Sequence, residues 1–404
     1  MSNKLKAAIL IPSAAILLFM VVGGMDGVRA SSNDGAYRQL QVYSEVLSRV
    51  RTEYVEDPNI PAVTNGALHG LLESLDANSS YLSAAEYKIF KQKKADGKAN
   101  IGATISKRFG YAAVVSVIPG GPADKAGISS GDIIETIDGK STHDMSLAEI
   151  KGAMAGEKGS HLDSTIIRVR KIEPQKIAIT RDMVNAPAAT EQLMPDGVGY
   201  IKALELNSGK AQEIANKIKS LQKQGARKLI LDLRDDSEGD EEEGVATANL
   251  FLNKGMITYL EGQKFPRKTF NADASKKITD LPLVVMVNRG TMGAAEIVAA
   301  SILENGRGDL LGDKTFGDGS VQKLIEVPDG SALILSVAKY YTPKGKAIQD
   351  NGITPNIEVA STDDIAVLPD DEDGSANTEE PQKTAPKEDE QLQRAVEVLK
   401  NKKG

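Results

Sequence analysis

Leu281-Pro282-Leu283-Val284-Val285-Met286-Val287-Asn288-Arg289-Gly290-Thr291-Met292-Gly293-Ala294-Ala295-Glu296-Ile297 carries the reading of the fold. Its first seven residues form a continuous apolar run. A strand covered on both faces reads this way, because neither side has water to meet. The residues after Asn288 read as a turn from that strand into a helix. Upstream, Gly199 to Leu206 and Lys228 to Arg234 read as further strands. A helix with Ile214, Ile218 and Leu221 lies between them. Downstream, Val321 to Tyr341 reads as a hairpin turning at Pro328-Asp329-Gly330. This alternation predicts an α/β core.

The 404 residues are enough for two or three domains. Cys is absent, which excludes disulfides, thiolate zinc sites, iron–sulfur clusters and a cysteine nucleophile. His69, His143 and His161 are the only histidines, too few for an imidazole-rich metal site. No cofactor and no metal are expected. Trp is absent and aromatics are 4%, which argues against a base-stacking surface. Net charge is −7, and −6 of it falls in residues 362–404, with 12 acidic and 6 basic groups. The near-neutral remainder has no nucleic-acid signature.

Lys4 and Lys6 precede an uncharged run from Ala7 to Met25, and Val28-Arg29-Ala30 resembles a signal-peptidase site. Residues 1–30 are therefore a cleaved signal or an uncleaved inner-membrane anchor through residues 7–25. Either way the body is expected to be exported, periplasmic or extracytoplasmic. Residues 31–98 read as a helical region. Tyr37 to Glu56 is one amphipathic helix, and Leu68, Leu71, Leu72 and Leu75 mark a second; His69 lies off that stripe and reads as a surface residue. Residues 99–182 read as a compact unit of short strands with one helix, capped by the box Ser146-Leu147-Ala148-Glu149. The core occupies 183–360. Residues 361–404 form an acidic tail, disordered over 362–387, with a short helix from Gln391 to Leu399.

Ile101-Gly102-Ala103, Val117-Ile118-Pro119-Gly120-Gly121-Pro122-Ala123, Ala126-Gly127-Ile128 and Gly131-Asp132-Ile133-Ile134 resemble a PDZ domain. Gly199-Tyr200-Ile201, Leu231-Asp232-Leu233-Arg234, Gly312 to Gln322 and Ala338-Lys339-Tyr340-Tyr341-Thr342-Pro343 follow in order. Together they resemble the carboxyl-terminal processing (tail-specific) serine peptidases over about residues 37–360. The resemblance implies a crotonase/ClpP-like core with an inserted PDZ domain and an N-terminal helical region. It also implies a Ser–Lys dyad: a hydroxyl that attacks the peptide carbonyl, and a neutral lysine that takes its proton.

Here the dyad positions depart from the family. The nucleophile's position is Gly293 and the lysine's, 25 residues on, is Asp318; the orienting Gln322 is retained. Where the family has Asn-Asn-Pro-Gly-Gly beside the oxyanion hole, this chain has Asp235-Asp236-Ser237-Glu238-Gly239, then Asp240-Glu241-Glu242-Glu243. An anion about 4 Å from a forming oxyanion opposes it by roughly 4 kcal/mol at an effective dielectric of about 20, a thousandfold in rate. Thr291, Ser301 and Ser320 read as structural hydroxyls or caps. His143 and His161 have no evident triad partners. The acidic run lacks EF-hand spacing and reads as a solvated surface loop rather than a Ca²⁺ site.

The PDZ-like part keeps what binding needs. Ile101, Gly102 and Ala103 offer successive N–H groups to a terminal carboxylate, Ile105 continues onto the ligand-pairing strand, and Ile150 faces it. Asn100 stands where the family has Gly. The expectation is a pseudopeptidase that binds extended or C-terminal peptides without cutting them. The alternative is an active serine-type endopeptidase with an altered dyad and Thr291 as nucleophile. Peptide or protein C-termini are the expected partners, with self-association or pairing with an active relative through the N-terminal helices by fold-level analogy. The membrane is met only through the N-terminal segment.

Overall fold

A computed structural model describes residues 34–96, 99–168, 173–185, 187–360 and 389–402. The expected signal or anchor segment and most of the acidic tail lie outside these residues. Among the described residues, no helix is long and apolar enough to cross a membrane. The chain divides into two compact bodies at Ala67/Leu68.

In the first body, α1 (Asp34–Glu53) turns an apolar face of Tyr37, Leu40, Tyr43 and Val46 to the outside. Glu45 and Glu53 each pair with Arg49 one turn away. Helix α2 (Ile60–Glu73) carries the chain into the second body.

Strand β1 (Ser80–Leu82) and α3 (Ala84–Asp96) open the second body. The PDZ region follows: β2 (Ala103–Arg108), β3 (Tyr111–Val117), α4 (Pro122–Lys125), β4 (Ile133–Ile137), β5 (Lys140–Ser141), α5 (Leu147–Met154), β6 (His161–Ile167) and β7 (Gln175–Thr180). The sheet order is β2-β3-β4-β6-β7, with β5 on β4. Ser146 caps α5 through the reciprocal box with Glu149, so Leu147, Ile150 and Met154 face the domain's core.

The larger region contains β8 (Thr190–Met194), β9 (Val198–Lys202), α6 (Lys210–Lys223), β10 (Lys228–Asp232), α7 (Glu241–Asn249), β11 (Met256–Gly262) and β12 (Phe265–Asn271). It continues with β13 (Leu283–Val287), α8 (Ala294–Glu304), β14 (Asp309–Gly312), β15 (Ser320–Glu326), β16 (Ala332–Tyr341) and β17 (Ile357–Glu358). Strands β17-β14-β13-β10-β9 form a parallel sheet, closed by antiparallel β8. A second, antiparallel sheet runs β1-β16-β11-β12, with β15 on β16. The fold is mixed α/β, and the hairpin turns at the expected Gly330, with φ 88°.

The apolar run in β13 has the expected cause. Val285 and Val287 belong to one buried cluster with Ile297 and Val298 of α8 and Ile214 and Ile218 of α6. Val284 and Met286 face the other way, against α9 (Glu390–Lys400) through Ala395 and Leu399. Each fully buried leucine or isoleucine here contributes about 1.5–3 kcal/mol. Asp389 caps α9 by accepting from Leu392 N. Lys228 Nζ donates to Leu399 O, 2.6 Å, at its far end. Arg234 forks onto Asp232 and Asp389, 2.7 Å to each, and Asp232 also accepts from Tyr200 OH.

Candidate functional site

The turn between β13 and α8 is built from backbone donors and small buried side chains. Asn288 Oδ1 accepts from Gly290 N and from Asp235 N, each at 3.0 Å, and its Nδ2 donates to Asp235 Oδ1. The Thr291 hydroxyl is wholly buried. It donates to Leu233 O (2.8 Å) and accepts from Asn288 N (3.0 Å). Met292 N donates to Asp236 O. These bonds hold the turn beside the loop 235–239.

Gly293 heads α8 with φ 59° and ψ −116°. An L-residue in that region is strained by about 1–3 kcal/mol, and such strain gathers at functional turns. A Cβ placed here would meet no atom within 4 Å. The position of the expected nucleophile thus has room for a side chain and the backbone of a nucleophile-bearing turn, but no oxygen.

Glu296, three residues on, is fully buried. Its carboxylate accepts from Gly293 N (3.1 Å), Gly317 N (2.8 Å), Asp318 N (2.9 Å) and the Thr315 hydroxyl. It ties the head of α8 to the segment carrying Asp318. Burial pushes its carboxyl up to about 8, against the pull of these four donors.

Asp318 occupies the expected lysine position. Asn78 Nδ2 donates to Asp318 Oδ1 and to Ser320 Oγ, each at 3.0 Å. Burial raises the Asp318 carboxyl; Asp350 and Glu238 add to the rise, while Lys151 of α5 and Asn78 oppose it. Glu241 is also raised, by burial first and then by Asp318, Asp240 and Glu242. Burial, with Glu241 and Glu242, pushes Tyr340 up to about 12. Where the dyad chemistry calls for a proton-accepting amine, this site gathers carboxyl groups. Gln322 Nε2 donates to Ser320 Oγ at 2.8 Å, so the retained glutamine orients a serine hydroxyl. Ser301 Oγ donates to Val298 O inside α8.

The acidic run is only partly the solvated loop expected from its charge: Glu238, Asp240 and Glu242 are exposed, but Asp236 and Ser237 are buried. Asp236 is fully buried, and neither carboxyl oxygen has a hydrogen-bond partner among the described residues. Burial and Glu205 raise it well above the usual carboxylate range, against Lys210. Glu243 accepts from Gly209 N and Ala211 N at the start of α6, both at 2.9 Å. Ser237 Oγ donates to Thr104 Oγ1 (2.8 Å) and meets Ser116 Oγ (2.5 Å); Thr104 Oγ1 donates to Glu238 Oε1 (2.8 Å). The loop is folded under and bonded to neighbours from other elements.

Those bonds join the PDZ region to the core. Thr104 lies on β2 and Lys151 on α5, the two elements expected to flank a peptide. Ile101 and Ile105 are 1% exposed and Ile150 0%; Gly102 is buried and Ala103 half-buried. In this structure the candidate peptide-binding side chains are packed, and their strand and helix carry Thr104, bonded to Glu238, and Lys151, which acts on Asp318. The alternation of Thr104 and Ser106 with Ile105 marks a second, polar face of β2, but nothing local in the sequence links it to Ser237 or Glu238. Asn78 gives no sequence signal for its place beside Asp318.

The histidines lie apart from this site. His143 packs on Tyr111, and His161 Nδ1 meets Thr180. His69, expected at the surface, is largely covered, edge-on to Tyr81 and 3.3 Å from Glu86. Among the described residues no group of three or more His, Asp or Glu is arranged to hold a metal.

Residues 197–359 match peptidase family S41, and residues 114–168 match a PDZ domain. The chain is 32% identical over 337 residues to the carboxy-terminal-processing protease of Bartonella bacilliformis, covering 82% of this chain and 77% of that one. It is 33% identical over 344 residues to the carboxy-terminal processing protease CtpA of Bacillus subtilis, covering 84% and 72%. The solved photosystem II D1 C-terminal processing protease superposes with a TM-score of 0.65 at 27% identity, covering 78% of this chain and 86% of that one.

Proposed function

The chain belongs to peptidase family S41, among the carboxyl-terminal processing serine proteases, and we propose that it is a member that holds extended or C-terminal peptide segments without cutting them. The observation that carries this is Gly293: the turn and the space for a nucleophile are kept, and the hydroxyl is absent. Asp318 in the lysine position and the raised carboxyls around it support the same reading. The altered-dyad alternative draws no support from Thr291, whose hydroxyl is spent on Leu233 O and Asn288 N.

Binding would run through the PDZ domain, as a scaffold or regulator outside the cytoplasm. The Lys4 and Lys6 flank of the uncharged run supports export. The outward apolar face of α1 supports self-association through the N-terminal helices. Peptide entry between β2 and α5 requires the Thr104–Glu238 contact to part.

The test is a peptidase assay with an unstructured, apolar-tailed protein substrate, on chain purified from a host lacking relatives. No turnover, together with saturable peptide binding, is the expected result. Turnover abolished by Thr291→Ala, or an acyl adduct trapped on any side chain, would overturn the reading. Gly293→Ser combined with Asp318→Lys is expected to gain measurable cleavage if the rest of the site is competent.

A further inference from the structure

The N–H groups of Ile101, Gly102 and Ala103 are the donors a terminal carboxylate would take from this PDZ domain. The middle one is already taken. Gly102 N donates to Asn100 Oδ1 at 2.7 Å. The side-chain oxygen of Asn100 closes a local turn and stands in for a ligand oxygen. Asn100 itself is exposed and Gly102 is buried.

Two further features guard the same turn. The backbone of Asn100 pairs both ways with Asp182, at 3.0 and 3.1 Å. The Asp182 carboxylate accepts from Met183 N (2.7 Å) and pairs with Lys158 (2.9 Å). Its bond to Lys158 holds it below the usual carboxylate range, so it stands ionised next to the turn. Val184 covers Gly102 as well: its methyl carbons lie 3.3 and 3.4 Å from where a Cβ on Gly102 would stand.

We propose that Asn100 turns this PDZ domain away from free C-termini and towards segments inside a polypeptide. The inference rests on the peptide-holding role given above and narrows its ligand. Strand β2 is an edge strand of its sheet. Main-chain pairing along such an edge gives affinity to any extended segment and needs no terminal charge. Recognition of a terminus needs the Gly102 N–H free, and here a ligand oxygen must displace an amide oxygen that already satisfies it. The choice is therefore set by one side chain lying outside the apolar groove.

The test measures binding of one fluorescent decapeptide with an apolar tail, made with a free carboxylate and with a C-terminal amide. The proteins are the purified full chain, Asn100→Gly and Asn100→Ala. The wild-type chain is expected to bind the two forms within about threefold of each other. Both variants are expected to bind the free acid at least about tenfold more tightly than the amide, with affinity for the amide unchanged. Wild-type preference for the acid of tenfold or more overturns the inference, as does an acid-to-amide ratio that neither variant moves. Binding of neither peptide to any of the three proteins overturns the peptide-holding role itself, and the inference with it.

Discussion

Two segments meet at the head of α8: the turn 288–293 and the loop 235–239. The turn carries Gly293 at φ 59° and ψ −116°, with open space where a side chain would stand. Asn288, Thr291 and Glu296 fix it through bonds that never involved a nucleophile. The loop keeps its place, with Asp235 N on Asn288 and the Asp236 carbonyl on Met292 N, but its side chains now serve an interface with β2 and β3. The difference teaches that the scaffold of this site and its chemistry are separately held. The backbone frame at this turn is held by groups other than the residue at position 293.

The comparison breaks most visibly at Glu296. Replacing it by Ala strands four donors, so Glu296→Ala is expected to lose about 4 kcal/mol or more in urea unfolding. Glu296→Gln, which keeps an acceptor, is expected to lose about 1–2 kcal/mol. Equal, small losses for both would mean that the turn is held by something else.

Next in size is Gly293→Ser alone. Because the Cβ has open space, only backbone strain should register, about 1–3 kcal/mol in the same measurement. A larger loss would show that the turn no longer has room for the residue its shape suits.

The pH dependence sharpens the contrast from the loop's side. Glu296, Asp236 and Asp318 all have carboxyls raised in the folded state. The folded chain then binds more protons than the unfolded one above the ordinary carboxyl range. Stability is whole below about 3.8 for the two aspartates and below about 4.5 for Glu296, and is lost as pH rises, for Glu296 through about 8. Asp236→Asn removes one such group. It is expected to raise the melting temperature by about 2–4 °C at pH 8 and to leave it unchanged at about pH 3, where the carboxyl is protonated in both states. A gain at both pH values would mean that Asp236 does not titrate in this window.

The smallest effect is at the interface. Thr104→Val or Ser237→Ala removes bonds that hold the loop to β2, at about 1 kcal/mol. Either variant is expected to bind an extended peptide about threefold to tenfold more tightly, read by fluorescence anisotropy. Weaker binding would show that the contact supports the groove rather than closing it.

Local signals carried far in this sequence. The apolar run of β13, the box at Ser146 and the turn at Gly330 are each decided within a few residues, and each stands where expected. Gly293 and Asp318 draw notice in the sequence because the residues around them resemble the family's frame. The buried part of the acidic loop has no local mark: Ser237 bonds Thr104 and Ser116, more than a hundred residues away, and Asp236 is buried while its neighbours Glu238 and Asp240 are exposed. Charge density alone points to water. The link from Arg234 to Asp389 spans 155 residues and likewise has no local mark. His69 shows the same limit on a smaller scale, covered by Tyr81 and Glu86 from beyond its own helix.

The docking of α9 has a consequence for how the molecule is made. Val198, Ile230, Val284, Met286 and Leu311 take much of their cover from side chains beyond residue 389, Ala395 and Leu399 among them. The last strand of that sheet ends at Glu358. At about 5–20 residues per second, a ribosome takes roughly two to six seconds to cross the interval between them. Until that helix arrives, one flank of the sheet is an oily surface open to any chaperone that meets it.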